Sequence, residues 1–287
     1  MKKLLILSGK GGTGKTTIAA ALIELFKAKA FADCDVDAPN LHLIANQNTE
    51  PEFDVFYGSQ KAAIDQTKCI FCGACVSNCR FDAIKLIKSR YTVDEYSCEG
   101  CGVCEYVCPE KAVRLKEDIA GDLMLYQNGI TFSTAKLKMG RGNSGKLVMA
   151  VKKQLEKHSD ADFAIIDGSP GIGCPVVASI SGVDMVLIVS EPSQSGISDM
   201  KRILTTVEHF GVPAAVCINK YDISLEKAEE ILTFCQEKGL PFVGKIPMDD
   251  EVLKAQNNGI SIIHTDCPAE KAIKEIFEQI QILLLKV

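Results

Sequence analysis

The sequence predicts an α/β protein with a mainly parallel sheet flanked by helices, into which a small α+β domain is inserted. Continuous apolar runs of strand length are typical of strands buried on both faces of a sheet; they include 4–7, 163–166 and 185–189. Helical patterns alternate with such runs in the second half of the chain, at 224–238, 249–257 and 268–285. This alternation predicts parallel strands covered by helices. A 29-residue repeat around eight cysteines defines the insert.

The composition limits the class of protein. The chain has 287 residues, of which 47% are hydrophobic and 24% charged, with a formal net charge of −5. These values predict a globular protein with a sizeable core, and the negative charge argues against a general nucleic-acid binder. The N-terminal apolar run, Leu4 to Leu7, is too short for a signal-peptide core. We therefore expect a cytoplasmic protein with reduced thiols and with neither a nucleic acid nor a membrane as partner.

A phosphate-binding loop follows the first predicted strand. Gly9 to Thr16 reads G-x-x-x-x-G-K-T, and after Thr17 a helical pattern runs from Ile18 to Phe26. In this context the backbone N–H groups and the helix N-terminus surround phosphates, Lys15 reaches the β- and γ-phosphates, and the Thr16 hydroxyl binds Mg²⁺. A glycine-rich turn without a ligand is the alternative. The residues predicted to contact the nucleotide are Gly11, Gly12, Thr13, Gly14, Lys15, Thr16 and Thr17.

Acidic residues follow two other predicted strands. Asp33, Asp35 and Asp37 alternate at the end of a short strand, where carboxylates suit Mg²⁺ or a water molecule that attacks the γ-phosphate. The alternative is a loop that caps the next segment. Asp167 ends another buried run, and this position predicts a second Mg²⁺ ligand opposite Thr16. The glycine-rich segment 168–173 then predicts a switch that senses the γ-phosphate.

The eight cysteines have the spacing of iron–sulfur ligands. Each of two runs reads C-x-x-C-x-x-C-x-x-x-C, as in two-cluster bacterial ferredoxins, where the fourth cysteine of each run binds the other cluster. The first [4Fe–4S] cluster is assigned to Cys69, Cys72, Cys75 and Cys108. The second is assigned to Cys98, Cys101, Cys104 and Cys79.

The repeat extends beyond the cysteines, since residues 83–86 map onto 112–115. Each half predicts a ligand loop, a short helix and a strand, and Gly73 and Gly102 allow the backbone to pass close to a cluster. Zinc and disulfides are the alternatives, although tetrahedral zinc does not require four cysteines per run at this spacing. One departure from the pattern is that Cys108 precedes Pro109, whereas Cys79 precedes Arg80.

Lys10 lies just after the first glycine of the phosphate loop, in K-G-G-T-G-K-T-T. This loop resembles the deviant Walker A loop of the MinD/ParA/Mrp and nitrogenase iron protein class of ATPases. The resemblance implies that Lys10 reaches the partner's nucleotide in a homodimer and, with Lys15 and Asp35, takes part in catalysis. It also implies that Asn219 reads the base and that Pro247 lines the same pocket. A solvated lysine and an amide that caps a turn are the alternatives.

Taken whole, the chain resembles MinD/Mrp-type P-loop ATPases that carry an inserted ferredoxin. The predicted division is an ATPase domain in two parts, 1–59 and 118–287, around a ferredoxin domain at 60–117. The resemblance implies ATP or ADP, Mg²⁺ and two [4Fe–4S] clusters as cofactors, and a nucleotide-dependent homodimer. It implies a role in metal–sulfur cluster assembly or delivery, with an acceptor metalloprotein or assembly protein as partner. An ATP-gated electron donor and, third, a positioning ATPase are the alternatives.

Other features carry weaker expectations. Cys174 follows the predicted switch, where the nitrogenase iron protein has a bridging ligand, but we expect a buried structural thiol because a second ligand is missing. Cys34, Cys217, Cys235 and Cys267 are expected in the core. Residues 140–146 predict a flexible connection before a helix at 147–157, with Arg141 and Lys146 able to contact a partner. The last helix has apolar residues at helical spacing and is expected to pack in the core.

Overall fold

The structure is a computed structural model that describes residues 1–44 and 49–286. The strands are β1 (Lys2–Ser8), β2 (Ala30–Asp33), β3 (Glu52–Tyr57), β4 (Lys61–Ile64), β5 (Ile84–Ile87), β6 (Arg90–Val93), β7 (Val113–Lys116), β8 (Ile119–Gln127), β9 (Thr131–Leu137), β10 (Phe163–Asp167), β11 (Met185–Ser190), β12 (Ala214–Asn219) and β13 (Phe242–Ile246). The helices are α1 (Lys15–Leu25), α2 (Ala74–Ser77), α3 (Val103–Tyr106), α4 (Ser144–His158), α5 (Cys174–Ile180), α6 (Gln194–His209), α7 (Leu225–Lys238), α8 (Asp250–Asn257) and α9 (Pro268–Leu284).

The main sheet has the predicted parallel character. Its strand order is β13-β12-β11-β1-β10-β2-β9-β8-β3, and every pair from β13 to β9 is parallel. The mainly parallel sheet with flanking helices confirms the predicted fold class. β1 lies between β10 and β11, so the connections leave it in both directions, and ligands of such sheets bind at the carboxyl ends of strands beside this switch point.

The chain divides into two compact units. The first consists of 1–53, 123–136 and 144–287, and the second of 54–122 and 137–143. The second unit therefore contains all eight cysteines of the repeat together with residues on both sides of the predicted 60–117 insert.

The core of the first unit is made of the strand interiors and the apolar faces of the helices. Leu4 to Leu7 of β1 are fully buried, because helices cover both faces of a parallel sheet. The C-terminal helix α9 adds Ile273, Ile276, Ile280 and Leu284 to the same core cluster, as its spacing predicts.

The second unit contains two antiparallel strand pairs and two short helices. β4 pairs with β7, and β5 pairs with β6. The helices α2 and α3 follow Gly73 and Gly102, whose φ angles are 77° and 79°. The equal left-handed conformations at positions 29 residues apart explain why both positions are glycine.

Two helices begin earlier than the sequence predicts. Helix α4 begins at Ser144 and not at Leu147, so Gly145 lies in its first turn. A methyl group at Gly145 would lie 3.1 Å from the Cys174 carbonyl oxygen, so the close approach of α5 favours glycine there. Helix α6, for which the sequence pattern predicts the range 198–210, begins at Gln194, because Ser193 caps it by accepting a hydrogen bond from the Gly196 N–H at 3.1 Å.

Candidate nucleotide site and metal centre

The phosphate loop joins the end of β1 to the start of α1. Gly12 and Gly14 have φ angles of 80° and 86°, which bend the loop and which side-chain-bearing residues rarely adopt. A methyl group at Gly14 would also overlap the amide nitrogen of Asn219. Helix α1 then begins at Lys15, so its N-terminal N–H groups point into the loop.

A cavity of about 540 Å³ opens beside this loop, which is a volume suited to a ligand of nucleotide size. Every residue predicted to contact the nucleotide lines it: Lys10, Gly11, Gly12, Thr13, Gly14, Lys15, Thr16, Thr17, Asp35, Asn219 and Pro247. The lining combines the polar groups of the loop with apolar side chains such as Met248 and Leu253, which suit a base.

Asp167 at the end of β10 contacts the two phosphate-loop side chains predicted to act with Mg²⁺ and phosphate. Its carboxylate accepts from Lys15 Nζ at 2.5 Å and from Thr16 Oγ1 at 2.7 Å. Burial alone would lower the pKa of Lys15, but the ion pair with Asp167 outweighs burial and raises it. Lys15 is therefore a cation at neutral pH, and Thr16 and Asp167 lie together, as shared Mg²⁺ binding requires.

The acidic residues after β2 have different surroundings. Asp33 is buried, and its carboxylate accepts from the N–H groups of Asp35, Asn40 and Leu41 at 2.9–3.0 Å. Burial and the nearby Asp167 raise the pKa of Asp33 to about 7. Asp33 therefore positions the segment that carries Asp35.

Asp35 is half-buried and lines the cavity. Burial raises its pKa, and the Lys15 charge only partly opposes this effect. A raised pKa makes a carboxylate a better proton acceptor, which suits the predicted role of Asp35 toward a water molecule. Asp37 is exposed and does not line the cavity.

Lys10 is half-exposed and bound to Glu191, which follows β11. Lys10 Nζ lies 2.8 Å from Glu191 Oε2, and Lys220 Nζ lies 2.9 Å from Glu191 Oε1. Lys220 also donates to the Gly12 carbonyl at 3.0 Å. Burial would raise the pKa of Glu191, but the two lysines lower it below its usual value. Neither Glu191 nor Lys220 has a role predicted from the sequence, although Glu191, like the predicted Mg²⁺ ligand Asp167, is an acid at the end of a buried strand.

Asn219 braces the phosphate loop. Its Nδ2 donates to the Thr13 carbonyl at 2.7 Å, and its Oδ1 accepts from the Lys220 N–H at 3.0 Å. The amide thus holds the loop in addition to lining the cavity. Gln256 of α8 donates to the Thr17 hydroxyl, a second contact that sequence spacing alone does not reveal.

Four cysteines line each of two cavities in the second unit. The first is lined by Cys69, Cys72, Cys75 and Cys108, and the second by Cys79, Cys98, Cys101 and Cys104. These are the two sets assigned from the sequence, including the exchange of the fourth cysteine. Each cavity is small, with a volume of about 20 Å³ against about 540 Å³ for the cavity at the phosphate loop.

The chemistry of the cysteines suits thiolates bound to a cationic group. Each of the thirteen cysteines is a free thiol, so no disulfide competes. The Ala112 N–H donates to Cys108 Sγ at 3.2 Å, and the Ala62 N–H donates to Cys98 Sγ at 3.4 Å. Burial raises the pKa of the Cys75 and Cys104 thiols, which disfavours their thiolate forms in the absence of a cation.

A single zinc ion would need its ligands about 2.3 Å from one point. In the part of the chain that the structure describes, no three His, Cys, Asp or Glu side chains gather in this way. The four cysteines of each set line a cavity instead.

Cys174 corrects one prediction. The thiol is exposed and not buried, because it begins the short helix α5, and it lines an open cavity with Met149, Val177 and Phe210. The cysteines at 34, 217, 235 and 267 are buried, as predicted.

The structure also corrects the prediction that Arg141 is open to a partner. Its guanidinium lies 2.9 Å from Asp118 and 3.1 Å from Glu95 and over the ring of Tyr96. These contacts occupy a side chain that the sequence suggested was open to a partner. Lys146 belongs to the first turn of α4 and lines the same open cavity as Cys174.

The fold and the loop together define a class: a parallel α/β protein with a P-loop nucleotide site at the carboxyl edge of its sheet. A family model, the CobQ/CobB/MinD/ParA nucleotide binding domain, matches residues 4–262. The chain belongs to this family and is a P-loop ATPase.

Three known proteins illustrate the similarity. An uncharacterized protein of Methanocaldococcus jannaschii, MJ0578, is 34% identical over 97% of this chain and 96% of its own length. The iron–sulfur cluster carrier protein of Pyrococcus horikoshii is 24% identical over 97% of this chain and 85% of its own length. The solved structure of the cell division ATPase MinD from Pyrococcus furiosus covers 98% of this chain and 99% of that one, with a TM-score of 0.58 and 18% identity. This last likeness concerns the fold. Among residues 1–44 and 49–286, no helix is long and apolar enough to cross a membrane.

Proposed function

We propose that this protein is a Mg-ATP-dependent iron–sulfur ATPase that acts, as a nucleotide-dependent dimer, in metal–sulfur cluster assembly or delivery. The observation that carries the proposal is the pair of cavities lined by four cysteines each, in which each run supplies three cysteines to one cavity and the fourth to the other. In this proposal residues 60–117 are an inserted ferredoxin domain.

The nucleotide site divides the work of hydrolysis among its residues. The loop N–H groups and Lys15 bind the phosphates, while Thr16 and Asp167 hold Mg²⁺ between them. Asp35 orients a water molecule that attacks the γ-phosphorus, and the bond to the β–γ bridging oxygen breaks to give ADP and phosphate. The positive charge of Lys15 stabilises the charge that develops on the phosphate oxygens.

Lys10 couples this site to a second copy of the chain. In the present structure its ammonium group is bound by Glu191 of the same chain. To reach a partner's nucleotide it has to leave Glu191, whose other oxygen remains paired with Lys220. The Lys10 end of this ion pair is half-exposed, and ion pairs at the protein surface contribute only about 0–1 kcal/mol, so a phosphate can replace Glu191 as the partner of Lys10.

The cysteine cavities would hold two [4Fe–4S] clusters, which supply one-electron chemistry when bound. In support, four cysteines line each cavity, and backbone N–H groups donate to Cys98 and Cys108. Such hydrogen bonds favour charged sulfur and are one of the means by which a protein sets cluster potentials. A relative that is named as an iron–sulfur cluster carrier and is similar over nearly the whole chain supports delivery as the purpose of the ATPase.

An ATP-gated electron donor is the second candidate, and one observation favours it. In each cavity only one of the four lining cysteines is exposed, Cys72 in the first and Cys101 in the second. A cluster held by a complete and mostly covered ligand set is suited to being retained rather than passed on. In this version the clusters stay in place, and electrons leave for a partner metalloprotein.

Transfer of labelled iron separates the two functions. Protein loaded anaerobically with ⁵⁵Fe clusters is incubated with apo-aconitase, with and without Mg-ATP, and the two proteins are then separated. Delivery predicts that label and aconitase activity appear together and faster with Mg-ATP, and that the Lys15→Ala variant loses the nucleotide effect. If the label stays on this protein while a one-electron acceptor is reduced, electron donation is the function. If neither label nor electrons leave, both versions are wrong.

A further inference from the structure

The carboxylate of Asp222 binds a backbone group in the wall of the nucleotide cavity. Asp222 closely follows Asn219 and Lys220, which hold the phosphate loop, but it contacts a different part of the site. Its Oδ1 accepts a hydrogen bond from the Met248 N–H at 2.8 Å. Pro247 and Met248 line the cavity, whereas Asp222 is exposed and does not line it. The contact of Asp222 with the nucleotide site is therefore made through Met248.

This contact changes which hydrogen bonds the cavity wall can make. Pro247 has no backbone N–H, and the Met248 N–H is occupied by Asp222. These two consecutive residues can therefore accept a hydrogen bond from a ligand through their carbonyl oxygens, but their backbone cannot donate one. The next two lining residues are Asp249 and Asp250, whose ionised carboxylates also accept and do not donate. The wall after β13 is therefore rich in acceptors.

Three donor side chains of the same cavity are bound within the protein. Asn219 donates to the phosphate loop and Gln256 to Thr17, while Lys220 is bound by Glu191. The purine bases differ at position 6, where adenine has an amino group that donates and guanine has an oxygen that accepts. A wall of acceptors matches the amino group and repels the oxygen.

We propose that Asp222 is a specificity-determining residue of the nucleotide site, which selects adenine over guanine by holding the Met248 N–H. Without Asp222 that N–H would be free to donate to an oxygen at position 6 of a base. Because the acceptor is a carboxylate, the hydrogen bond is stronger than one to a neutral acceptor, and a ligand does not readily displace it. Specificity of this kind is a difference between two affinities, to which a repelled competitor contributes as much as a bound ligand.

The test measures the affinity of the full-length protein for the Mg²⁺ complexes of ADP, GDP, IDP and pyrophosphate by calorimetric titration. IDP has the oxygen of guanine at position 6 but not its 2-amino group, and pyrophosphate has no base. Asp222→Ala removes the acceptor and frees the Met248 N–H, whereas Asp222→Asn keeps an acceptor oxygen. Glu226→Ala is the control for the lost charge, because Glu226 is an exposed acid in the first turn of α7.

We expect the unaltered protein to bind ADP about tenfold or more tightly than GDP and IDP, since an acceptor that faces an acceptor forms no hydrogen bond. Asp222→Ala should reduce this preference about five- to tenfold, because the freed N–H can donate to the oxygen at position 6. The affinity for pyrophosphate should not change. Asp222→Asn and Glu226→Ala should keep the preference within about twofold of its original value.

Three results would overturn the role of Asp222. They are an unaltered protein without a preference for ADP, an unchanged preference in Asp222→Ala, and an equal loss of affinity for all four ligands, which would show a general effect on the site. A change of the same size in Glu226→Ala would also contradict the role, since it would show an effect of charge alone. The inference rests on the nucleotide site of the proposed function and not on its iron–sulfur centres. An iron content near zero, with the nucleotide preferences as expected, would overturn the proposed function alone.

Discussion

Replacing Gly14 by alanine tests how Asn219 holds the phosphate loop. Gly14 has a φ angle of 86°, and an added methyl group would overlap Asn219 Nδ2. That amide otherwise donates to the buried Thr13 carbonyl at 2.7 Å. The substitution therefore has two effects: a strained backbone and a displaced amide.

The two effects have separate magnitudes. A left-handed conformation costs an alanine about 1–2 kcal/mol, and a buried carbonyl left without its donor costs about 1–3 kcal/mol. We expect Gly14→Ala to lower the free energy of unfolding by about 2–5 kcal/mol as the sum of these terms. Asn219→Ala should cost only the second term. In the double variant the hydrogen bond can be lost only once, so the two changes should fall short of additivity by about 1–3 kcal/mol.

Urea denaturation of the nucleotide-free protein measures the four free energies of this cycle. Gly12→Ala is the matched control, because Gly12 has a φ angle of 80° but no atom within 4 Å of an added methyl group. It should cost about 1–2 kcal/mol and combine additively with Asn219→Ala. If the free-energy changes of Gly14→Ala and Asn219→Ala are additive, the hydrogen bond from Asn219 to Thr13 does not hold the phosphate loop in the way described.

Three further predictions concern function. Lys10→Ala should abolish ATP hydrolysis, while its affinity for a fluorescent ATP analogue should change less than about threefold. Lys15→Ala should lose both hydrolysis and binding of the analogue. Normal hydrolysis by Lys10→Ala would contradict the role of Lys10 at the partner's nucleotide. Because burial raises the pKa of Asp35, the ATPase rate should increase with pH through a midpoint above the usual carboxyl value of about 3.9, and Asp35→Asn should lack activity across the profile. Cys108→Ala should lower the iron content from about eight to about four per chain by removing the cluster in the cavity of Cys69, whereas Cys79→Ala should remove the cluster in the cavity of Cys98. Loss of the same EPR signal in both variants would contradict the exchange of the fourth cysteine.

The parts of the fold that follow a period or a fixed spacing could be predicted from the sequence. Leu4 to Leu7 and Phe163 to Asp167 are parallel neighbours in the sheet, and their apolar runs reveal burial on both faces. The loop and the acid at 167 converge because the carboxyl ends of parallel strands meet at one edge. Lys15, Thr16 and Asp167 are therefore within hydrogen-bonding distance, although 151 residues separate Thr16 from Asp167.

Contacts that depend on the exact path of the chain could not be predicted. The exposure of Cys174 follows from its position at the start of α5, and a cysteine's residue type favours burial. The ion pairs of Arg141 with Asp118 and Glu95 join residues far apart in sequence. Likewise, nothing in the local sequence shows that Glu191 binds both Lys10 and Lys220. These contacts form only because the fold brings the ends of β11 and β12 close to the loop after β1.

The central claim is that the eight cysteines of an ATPase hold two iron–sulfur centres. The most direct measurement is an anaerobic iron count together with EPR spectra and midpoint potentials of the reduced protein, with and without Mg-ATP. The account predicts about eight irons per chain and the signals of two reduced [4Fe–4S] centres. Potentials that shift with Mg-ATP at constant iron favour electron donation, while additional iron bound and released with the nucleotide favours delivery. Stoichiometric zinc, or protein without iron and without EPR signals after anaerobic reconstitution, would contradict the claim.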